Sequence, residues 1–495
     1  MDLIIPNFLL AFSPTIMCLV FSGVALGILF GALPGLTATM GVTLLLPFTL
    51  SLGLDAQSSM AMLIGIYVGA IYGGSIAAIL ICTPGTPAAA ATVLDGFPMT
   101  QRGEAGRAIA LAACASFTGG MISAITLTLF SPLLSRFALR FSYPEYFALA
   151  IFGLSMIVTI SSKDILKGVL SGFFGLLIAT IGLDPIAGIP RFSFGQPNLY
   201  DGLGFIPVLI GLFAFAQVFY EISQGWSSEG KTKSPRFSLP SWQEFKSYKF
   251  TLLRSGLIGT FIGSLPGAGC DIAAFVSYNE AKRIDKHPER FGQGEPKGII
   301  AAEAANNGAT GGAMIPMLTL GVPGDAVTAV MLSALVVQGL QPGPMLFQEH
   351  PEVVYPIFGA MMLANIAMLT IGLLSVRVIA RIILVDKRVL LPTICVLSVI
   401  GSYALQFSMF DVWVAITMGA VGYGMKRYGF PASPVVLAMI LGPMAERNLR
   451  QALLLPDASS LMFLTRPITA VLLILAISAI TFGLFRRPSL NVESE

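Results

Sequence analysis

Long runs of apolar and small residues dominate this chain, at 8–30, 59–82, 108–133, 145–161, 203–220, 354–376 and 467–485. About 20 helical residues cross a hydrocarbon core roughly 30 Å thick, so each run has close to the length of a membrane span. One such run is also compatible with a helix buried in a large soluble protein. This many, in 495 residues of which only 11% are charged, are not, since an ordinary soluble domain carries about a quarter charged residues. The expected fold is all-α: a polytopic membrane protein with about 12 transmembrane helices plus two re-entrant hairpins.

The net charge of +3 says little by itself. No polar stretch exceeds about 30 residues, so no large extramembrane domain is expected. The cysteines Cys18, Cys82, Cys114, Cys270 and Cys395 have neither metal-ligand nor redox spacing and read as small packing residues. His287 and His350, the only histidines, fall in polar loops, which speaks against a histidine metal site. Residues 1–30 have no basic leader and no clear cleavage site, and read as a retained first helix.

The chain repeats itself. Gly31-Ala32-Leu33-Pro34-Gly35 returns as Gly263-Ser264-Leu265-Pro266-Gly267, a shift of 263 − 31 = 232. Tyr72-Gly73-Gly74-Ser75 is echoed in Thr310-Gly311-Gly312-Ala313, and Thr83-Pro84-Gly85-Thr86 in Val322-Pro323-Gly324-Asp325, at shifts of 238 and 239. Interrupted apolar segments at matching places in two halves point to a transporter binding site.

Lys and Arg favour cytoplasmic loops. The loop at 51–58 has none and the loop at 95–107 has Arg102 and Arg107. In the second half the order swaps: 281–297 carries Lys282, Arg283, Lys286, Arg290 and Lys297, while 341–353 carries only Glu349 and Glu352 as charged residues besides His350. Matching loops therefore face opposite sides, as in two inverted structural repeats; Arg136 and Arg140 do not fit this scheme. The layout is a first membrane repeat over 1–222 with a hairpin near 72–94, and a basic cytoplasmic linker over 223–249 with Lys231, Lys233, Arg236, Lys246 and Lys249. A second repeat follows over 250–485 with a hairpin near 310–340, then a cytoplasmic tail over 486–495 with Arg486 and Arg487.

Irregular backbone survives at membrane depth only where protein buries it or it lines a wet cavity. Thr83-Pro84-Gly85-Thr86-Pro87 cannot continue a helix: the prolines lack N–H donors and Gly85 permits unusual dihedrals. Ala88-Ala89-Ala90-Ala91 restarts one, with Thr86 at the N-cap place and Pro87 at the first helical position. The new N-terminus presents free N–H groups and a positive dipole end, which suit a carboxylate. Gly321-Val322-Pro323-Gly324-Asp325 repeats the device. The expected substrate-binding residues are Ser75, Thr83, Pro84, Gly85, Thr86, Asn306, Asn307, Thr310, Pro323 and Gly324.

The turns Leu33-Pro34-Gly35-Leu36 and Leu265-Pro266-Gly267-Ala268-Gly269 precede Thr37, Thr39 and Asp271. Unwound carbonyls beside hydroxyls or a carboxylate are the usual material of a sodium site. Asp271, Glu303 and Asp325 are the acids expected at membrane depth, where carboxylates are functional by default. Gly35, Thr37, Thr39, Gly267, Asp271 and Asp325 form the candidate Na+ set; Glu303, six residues after Lys297, is held back from it. The alternative for Asp271 and Asp325 is simple helix capping. Asp95, closing the first hairpin, is expected to cap or to face water. No GxxxxGK[ST], HExxH, GxSxG or voltage-sensor ladder appears, so no enzyme activity is expected.

Over nearly the whole chain, motif order and length resemble the large membrane subunit of the tripartite tricarboxylate transporters, the TctA family. The stretches that carry the resemblance are GALPGLTATMG, YGGSIAAILICTPGTPAAAATVLDGFPM, GSLPGAGCDIAAF and NNGATGGAMIPMLTLGVPGDAVTAVMLSALVVQGLQPGP. Cys82 departs from the pattern, where a polar residue, often Asn, is expected. The resemblance implies ion-gradient-driven secondary uptake of a small carboxylate across a bacterial inner membrane, with Na+ or H+ as coupling ion and no other cofactor. It implies two partners, a small membrane subunit and a periplasmic solute-binding protein; no nucleic acid is expected. An elevator-like movement of a hairpin-bearing domain would fit the repeat. The competing readings are a stand-alone cation/carboxylate symporter, an anion channel and, last, a membrane enzyme.

Overall fold

The structure is a computed structural model that describes residues 4–33, 35–160, 164–184, 186–224, 241–382, 387–404, 406–455 and 462–485. Pro34, the linker residues Lys231, Lys233 and Arg236, and the tail residues Arg486 and Arg487 lie outside the described residues. The chain is all-α apart from one short antiparallel pair, Gly182–Leu183 with Pro190–Arg191, among the described residues. Each apolar run of the sequence is helical over most of its described length. Among the described residues five helical segments are long and apolar enough to cross a membrane: Pro14–Ala32, Ala56–Ile81, Ala105–Ala138, Phe205–Gln224 and Pro351–Val376.

Contacts divide the chain into two compact units, one of Met1–Leu139 with Ile206–Tyr423, the other of Arg140–Phe205 with Gly424–Glu495. In the first unit the N-terminal half supplies α1 (Pro14–Ala32), α2 (Ala38–Ser51), α3 (Ala56–Ile81), α4 (Ala90–Gln101) and α5 (Ala105–Ala138). The second unit takes α6 (Tyr143–Ile160) and α7 (Ile165–Ala179). The segment Phe205–Gln224, called α8, returns to the first unit. It is not one regular helix: Ile210–Phe215 forms a π-helical turn between α-helical ends. There follow α9 (Lys249–Gly263), α10 (Gly269–Ile284), α11 (Pro296–Leu320), α12 (Ala326–Val337), α13 (Pro351–Ile382), α14 (Lys387–Ala404) and α15 (Met409–Arg427). The second unit ends with α16 (Ser433–Leu453) and α17 (Pro467–Phe485).

The order long helix, turn, helix, buried arm, break, helix thus occurs twice, in α1–α4 and in α9–α12. Local sequence starts these helices. Side chains of Ser13, Thr37, Asp55 and Asp325 accept the backbone N–H groups of Ile16, Met40, Ser58 and Thr328, each satisfying one donor that a helix start leaves free.

Packing follows small residues. Gly23, Gly27 and Gly31 of α1 lie against the backbone of Met62, Ile66 and Ala70, while Gly65, Gly69 and Gly73 of α3 lie against Val20, Val24 and Ile28. The spacing of four puts all six on the facing sides, and missing Cβ atoms let the backbones meet. Gly259 and Gly263 of α9 meet Ala305 and Ala309 of α11 in the same way, and Gly119 of α5 meets Ala304. As a result α3 and α11 are buried around their whole circumference over Ser59–Leu80 and Gly298–Thr319. The outer helices show the reverse. Phe250, Leu253, Leu257 and Phe261 on α9 form an exposed apolar stripe at helical spacing, the signature of a lipid-facing surface.

In the second unit α16 packs on α6 and α7, and α17 on α6. The Asp184 carboxylate in the short hairpin accepts the N–H groups of Ala187 and Ile186, at 2.6 and 2.9 Å, and pairs with Arg191 and Arg450. The Ala187 amide first, then the arginines, hold its pKa well below the usual carboxylate range.

Gly69→Leu should force α1 and α3 apart at a cost of about 1–3 kcal/mol, read as a lower thermal unfolding midpoint in detergent. Gly424→Ala, where an added Cβ meets nothing within 4 Å, should leave that midpoint unchanged or raise it.

Candidate functional site

The first break begins where α3 ends at Ile81. Cys82 follows in the left-handed region, φ 59°, which among residues with a side chain Asn and Asp enter most readily. The expected polar residue at position 82 thus answers a backbone demand, and Gly321, φ 69°, meets the same demand at the end of α11. Gly85 then donates its N–H to the Gly74 carbonyl at 3.2 Å. A Cβ on Gly85 would overlap the Gly31 carbonyl oxygen, so only glycine fits. Thr86 is extended, φ −120° and ψ 153°, and Pro87–Ala89 form a 3-10 turn before α4. The helix therefore restarts more tightly than the alanine run suggests. Thr86 occupies the N-cap place, but its hydroxyl caps nothing: Oγ1 is buried with no partner.

The second break has the same anatomy. A Cβ on Gly324 would sit 2.7 Å from the Gly263 carbonyl oxygen and 2.5 Å from the Ala313 Cα. Gly263 corresponds to Gly31 by the sequence shift, and Ala313 to Ser75, the neighbour of the Gly74 that Gly85 meets, so each break closes on the matching helices of its own half. The Gly324 carbonyl also accepts the Gly267 N–H at 2.7 Å. Asp325 caps α12 in a reciprocal box with Thr328; its second oxygen accepts the Tyr67 hydroxyl of α3 at 2.5 Å. Beyond the breaks the halves exchange contacts: the Pro87–Ala89 turn packs on α10 and α11, and α12 packs on α2 and α3.

The expected substrate residues divide into satisfied and unsatisfied groups. Ser75 is wholly buried and donates to Glu303. Thr83 and Thr310 donate to the carbonyls of Ile81 and Asn307, and Pro84, Gly85, Pro323 and Gly324 shape the breaks. Asn306 and Asn307 stand apart. Both are 0% exposed, and neither the amide nitrogen nor the oxygen of either has a partner. The arrangement offers neutral donors and acceptors buried on α11 and, at Thr86, within the first break.

Of the candidate sodium set, Gly267 and Asp325 come together: the Gly267 amide bonds the Gly324 carbonyl, and a Cβ added to Gly269 would sit 3.5 Å from the Asp325 Cβ; Asp271 follows within the first turn of α10. Thr37 caps α2 and Thr39 lies within its first turn. Gly35, φ 89°, faces the Gln217 and Glu221 side chains of α8. Among the described residues no cluster of three or more His, Cys, Asp and Glu is arranged to hold a metal ion. Asp95 does not face water. It is 0% exposed, accepts the N–H groups of Gly292, Gly294 and Glu295 on one oxygen and the Tyr278 hydroxyl on the other, and so ties α4 to the start of α11.

Sequence reasoning missed one cluster. Thr92 of α4 and Ser116 of α5 join Ser75 in donating to Glu303. The available signal was the spacing of Glu303, Asn306, Asn307 and Thr310, which places them on one face of α11.

Gly85→Leu and Thr86→Pro should each abolish transport while the chain still inserts, because they destroy the break and not the spanning helices. Uptake assays on membrane-inserted variants check this, and normal uptake in either would separate the break from the substrate path.

Comparison with known proteins agrees with this architecture. The model of the tripartite tricarboxylate transporter TctA family matches residues 17–437. An Agrobacterium vitis protein described as an uncharacterized 52.8 kDa protein in the TAR-I ttuC' 3'region is 35% identical over 485 residues, 98% of this chain and 96% of that protein. A second from the same organism, described as an uncharacterized protein in the TAR-II ttuC' 3'region, is 34% identical over 237 residues, 48% of this chain and 97% of that protein. No solved structure matches the chain. With its helical membrane architecture and a family match over most of its length, this chain belongs to the TctA family of tripartite tricarboxylate transporters.

Proposed function

We propose that this chain is the large permease subunit of a binding-protein-dependent transporter that takes up a small carboxylate, a tricarboxylate or related organic acid, across a bacterial inner membrane. The observation that carries this reading is the unpartnered pair Asn306 and Asn307, wholly buried in α11, the helix on which the Pro87–Ala89 turn of the first break packs and which itself runs into the second break. A buried polar group left without a partner costs about 1–3 kcal/mol. Two adjacent amides left wholly unpaired are tolerated where a ligand completes them, and the Thr86 hydroxyl of the first break is free as well. Amide N–H groups and the N-terminus that follows the break supply donors for a carboxylate without a fixed positive charge, so a bound anion can leave again.

The matched glycine contacts at the breaks and the swapped loop charges support two inverted repeats around one centre, with the C-terminus cytoplasmic. Na+ or H+ drives the cycle. A small membrane subunit and a periplasmic binding protein complete the assembly, as family membership implies.

Uptake of radiolabelled di- and tricarboxylates into proteoliposomes tests the reading, with and without both partners and with and without a Na+ or pH gradient. Uptake that needs partners and gradient is expected. Uptake by the chain alone would favour a stand-alone symporter, and gradient-independent flux a channel. Asn306→Ala and Asn307→Ala should each raise the half-saturating substrate concentration about 10- to 100-fold, the loss of one hydrogen bond to a charged ligand.

A further inference from the structure

Glu303 is 0% exposed in the middle of α11. Three hydroxyls from three other helices converge on it: Ser75 of α3 at 2.5 Å and Thr92 of α4 on Oε1, and Ser116 of α5 at 2.8 Å on Oε2. Among the described residues no basic side chain bonds to Glu303. Lys297, the nearest cation along the helix, is held by Asp285 at 2.5 Å. Among helices packed on α11, the titratable groups beside this cluster are the Tyr72 phenol of α3 and the Cys114 thiol of α5. The others are engaged or turned elsewhere. Asp95 of α4 takes the amides at 292–295, Arg107 of α5 pairs with Glu104 and Glu244, and Tyr278 of α10 bonds Asp95. Arg254 of α9, whose Nε is buried without a partner, lines a groove with Phe250, Leu253 and Leu257, Tyr67 of α3 donates to Asp325, and Asp271 of α10 is exposed. On the short helix Leu346–Glu349, Glu349 is exposed, and α12 carries no titratable side chain.

We propose that Glu303 is a reversible proton site, and that it couples carboxylate movement to a proton; the coupling rests on the transport reading above. The shell is made of hydroxyls, and a hydroxyl is both donor and acceptor. With the carboxylate ionised, all three donate to it. When an aqueous proton arrives, an Oε–H bond forms as a hydronium O–H bond breaks. Ser116 then turns from donor to acceptor and its own hydrogen reaches a carbonyl of the preceding turn. Release on the other side reverses each bond. An arginine or lysine partner, donor only, would lock the charged form. Here both forms are hydrogen-bonded, and no countercharge holds the ionised one in a buried, low-dielectric place where it is costly.

The position suits coupling. Asn306 and Asn307 lie one turn along the same helix. Ser75 adjoins Gly74, whose carbonyl holds the Gly85 amide at the first break. A change of charge on Glu303 therefore acts both on the face that carries the amides and on the strut of the hairpin tip.

Infrared difference spectroscopy of the purified protein during a pH titration tests the site without transport. Wild type should show a buried carboxylic acid carbonyl band that Glu303→Gln lacks; identical spectra would overturn the proposal. Should Glu303→Gln fail to insert, Ser116→Ala must shift the pH at which the band disappears, and an unmoved midpoint counts against the site. In proteoliposomes Glu303→Gln should keep gradient-free exchange of labelled carboxylate and lose accumulation driven by a pH gradient. Retained proton-driven accumulation, or wild-type uptake indifferent to the pH gradient, would refute the coupling. If wild type moves no carboxylate at all, the transport reading fails, and the spectra still decide whether Glu303 exchanges a proton.

Discussion

Everything in the first unit depends on how two interrupted helices are kept out of lipid. A break frees backbone donors and acceptors, and hydrocarbon cannot satisfy them. The chain answers with close approach. Gly85 and Gly324 press against the carbonyls of Gly31 and Gly263, which only glycine permits. The supporting helices are themselves drawn together by glycines spaced four apart. Burial of α3 and α11 on every side follows from this packing, and it is what makes a polar, non-helical centre sustainable at that depth.

Once the breaks are enclosed, the pattern of satisfied and unsatisfied polar groups carries the functional meaning. Asp95 and Asp325 are fully engaged, one as a tie between α4 and the loop before α11, the other as a helix cap. Asn306, Asn307 and Thr86 are enclosed without partners. Structural polar groups in the core are paired as a rule; single unpaired atoms occur elsewhere, at Thr43 and Ser255 for example, but among the described residues only Asn306 and Asn307 leave a whole buried side-chain amide unpaired, which is why the proposed binding place is set there. That the unpaired groups are neutral fits an anion that must be released as well as held. Membership of the tripartite tricarboxylate transporter TctA family supplies the wider frame, and the proposed function assigns the carboxylate to the asparagines.

Legibility in the sequence followed the range of the interactions. The breaks were readable because proline and glycine fix backbone behaviour locally, and capping by Asp325 was readable as the alternative to a sodium ligand because a cap and its amide lie within one turn; the cap that Thr37 makes on Met40 was not read, since Thr37 was placed in the sodium set. Thr86 was readable as a position but not as a contact, since the turn after it tightens to 3-10 and its hydroxyl is turned against Gly74. Asp95 was misjudged because its amide partners begin 197 residues further along the chain. Glu303 was undervalued because Lys297 stands six residues before it, and only the fold shows that lysine committed to Asp285. The π-helical turn at Ile210–Phe215 left no mark in an apolar run that reads as one helix.

The central claim is that the two breaks form one carboxylate centre completed by the α11 asparagines. A cryo-electron microscopy structure of the protein in lipid nanodiscs, loaded with a carboxylate that it transports, tests this most directly. The account predicts ligand density within hydrogen-bonding distance of the Asn306 and Asn307 amides and of the Thr86 hydroxyl. Density elsewhere in the chain, with those amides turned to one another or to ordered water in the loaded state, would contradict it.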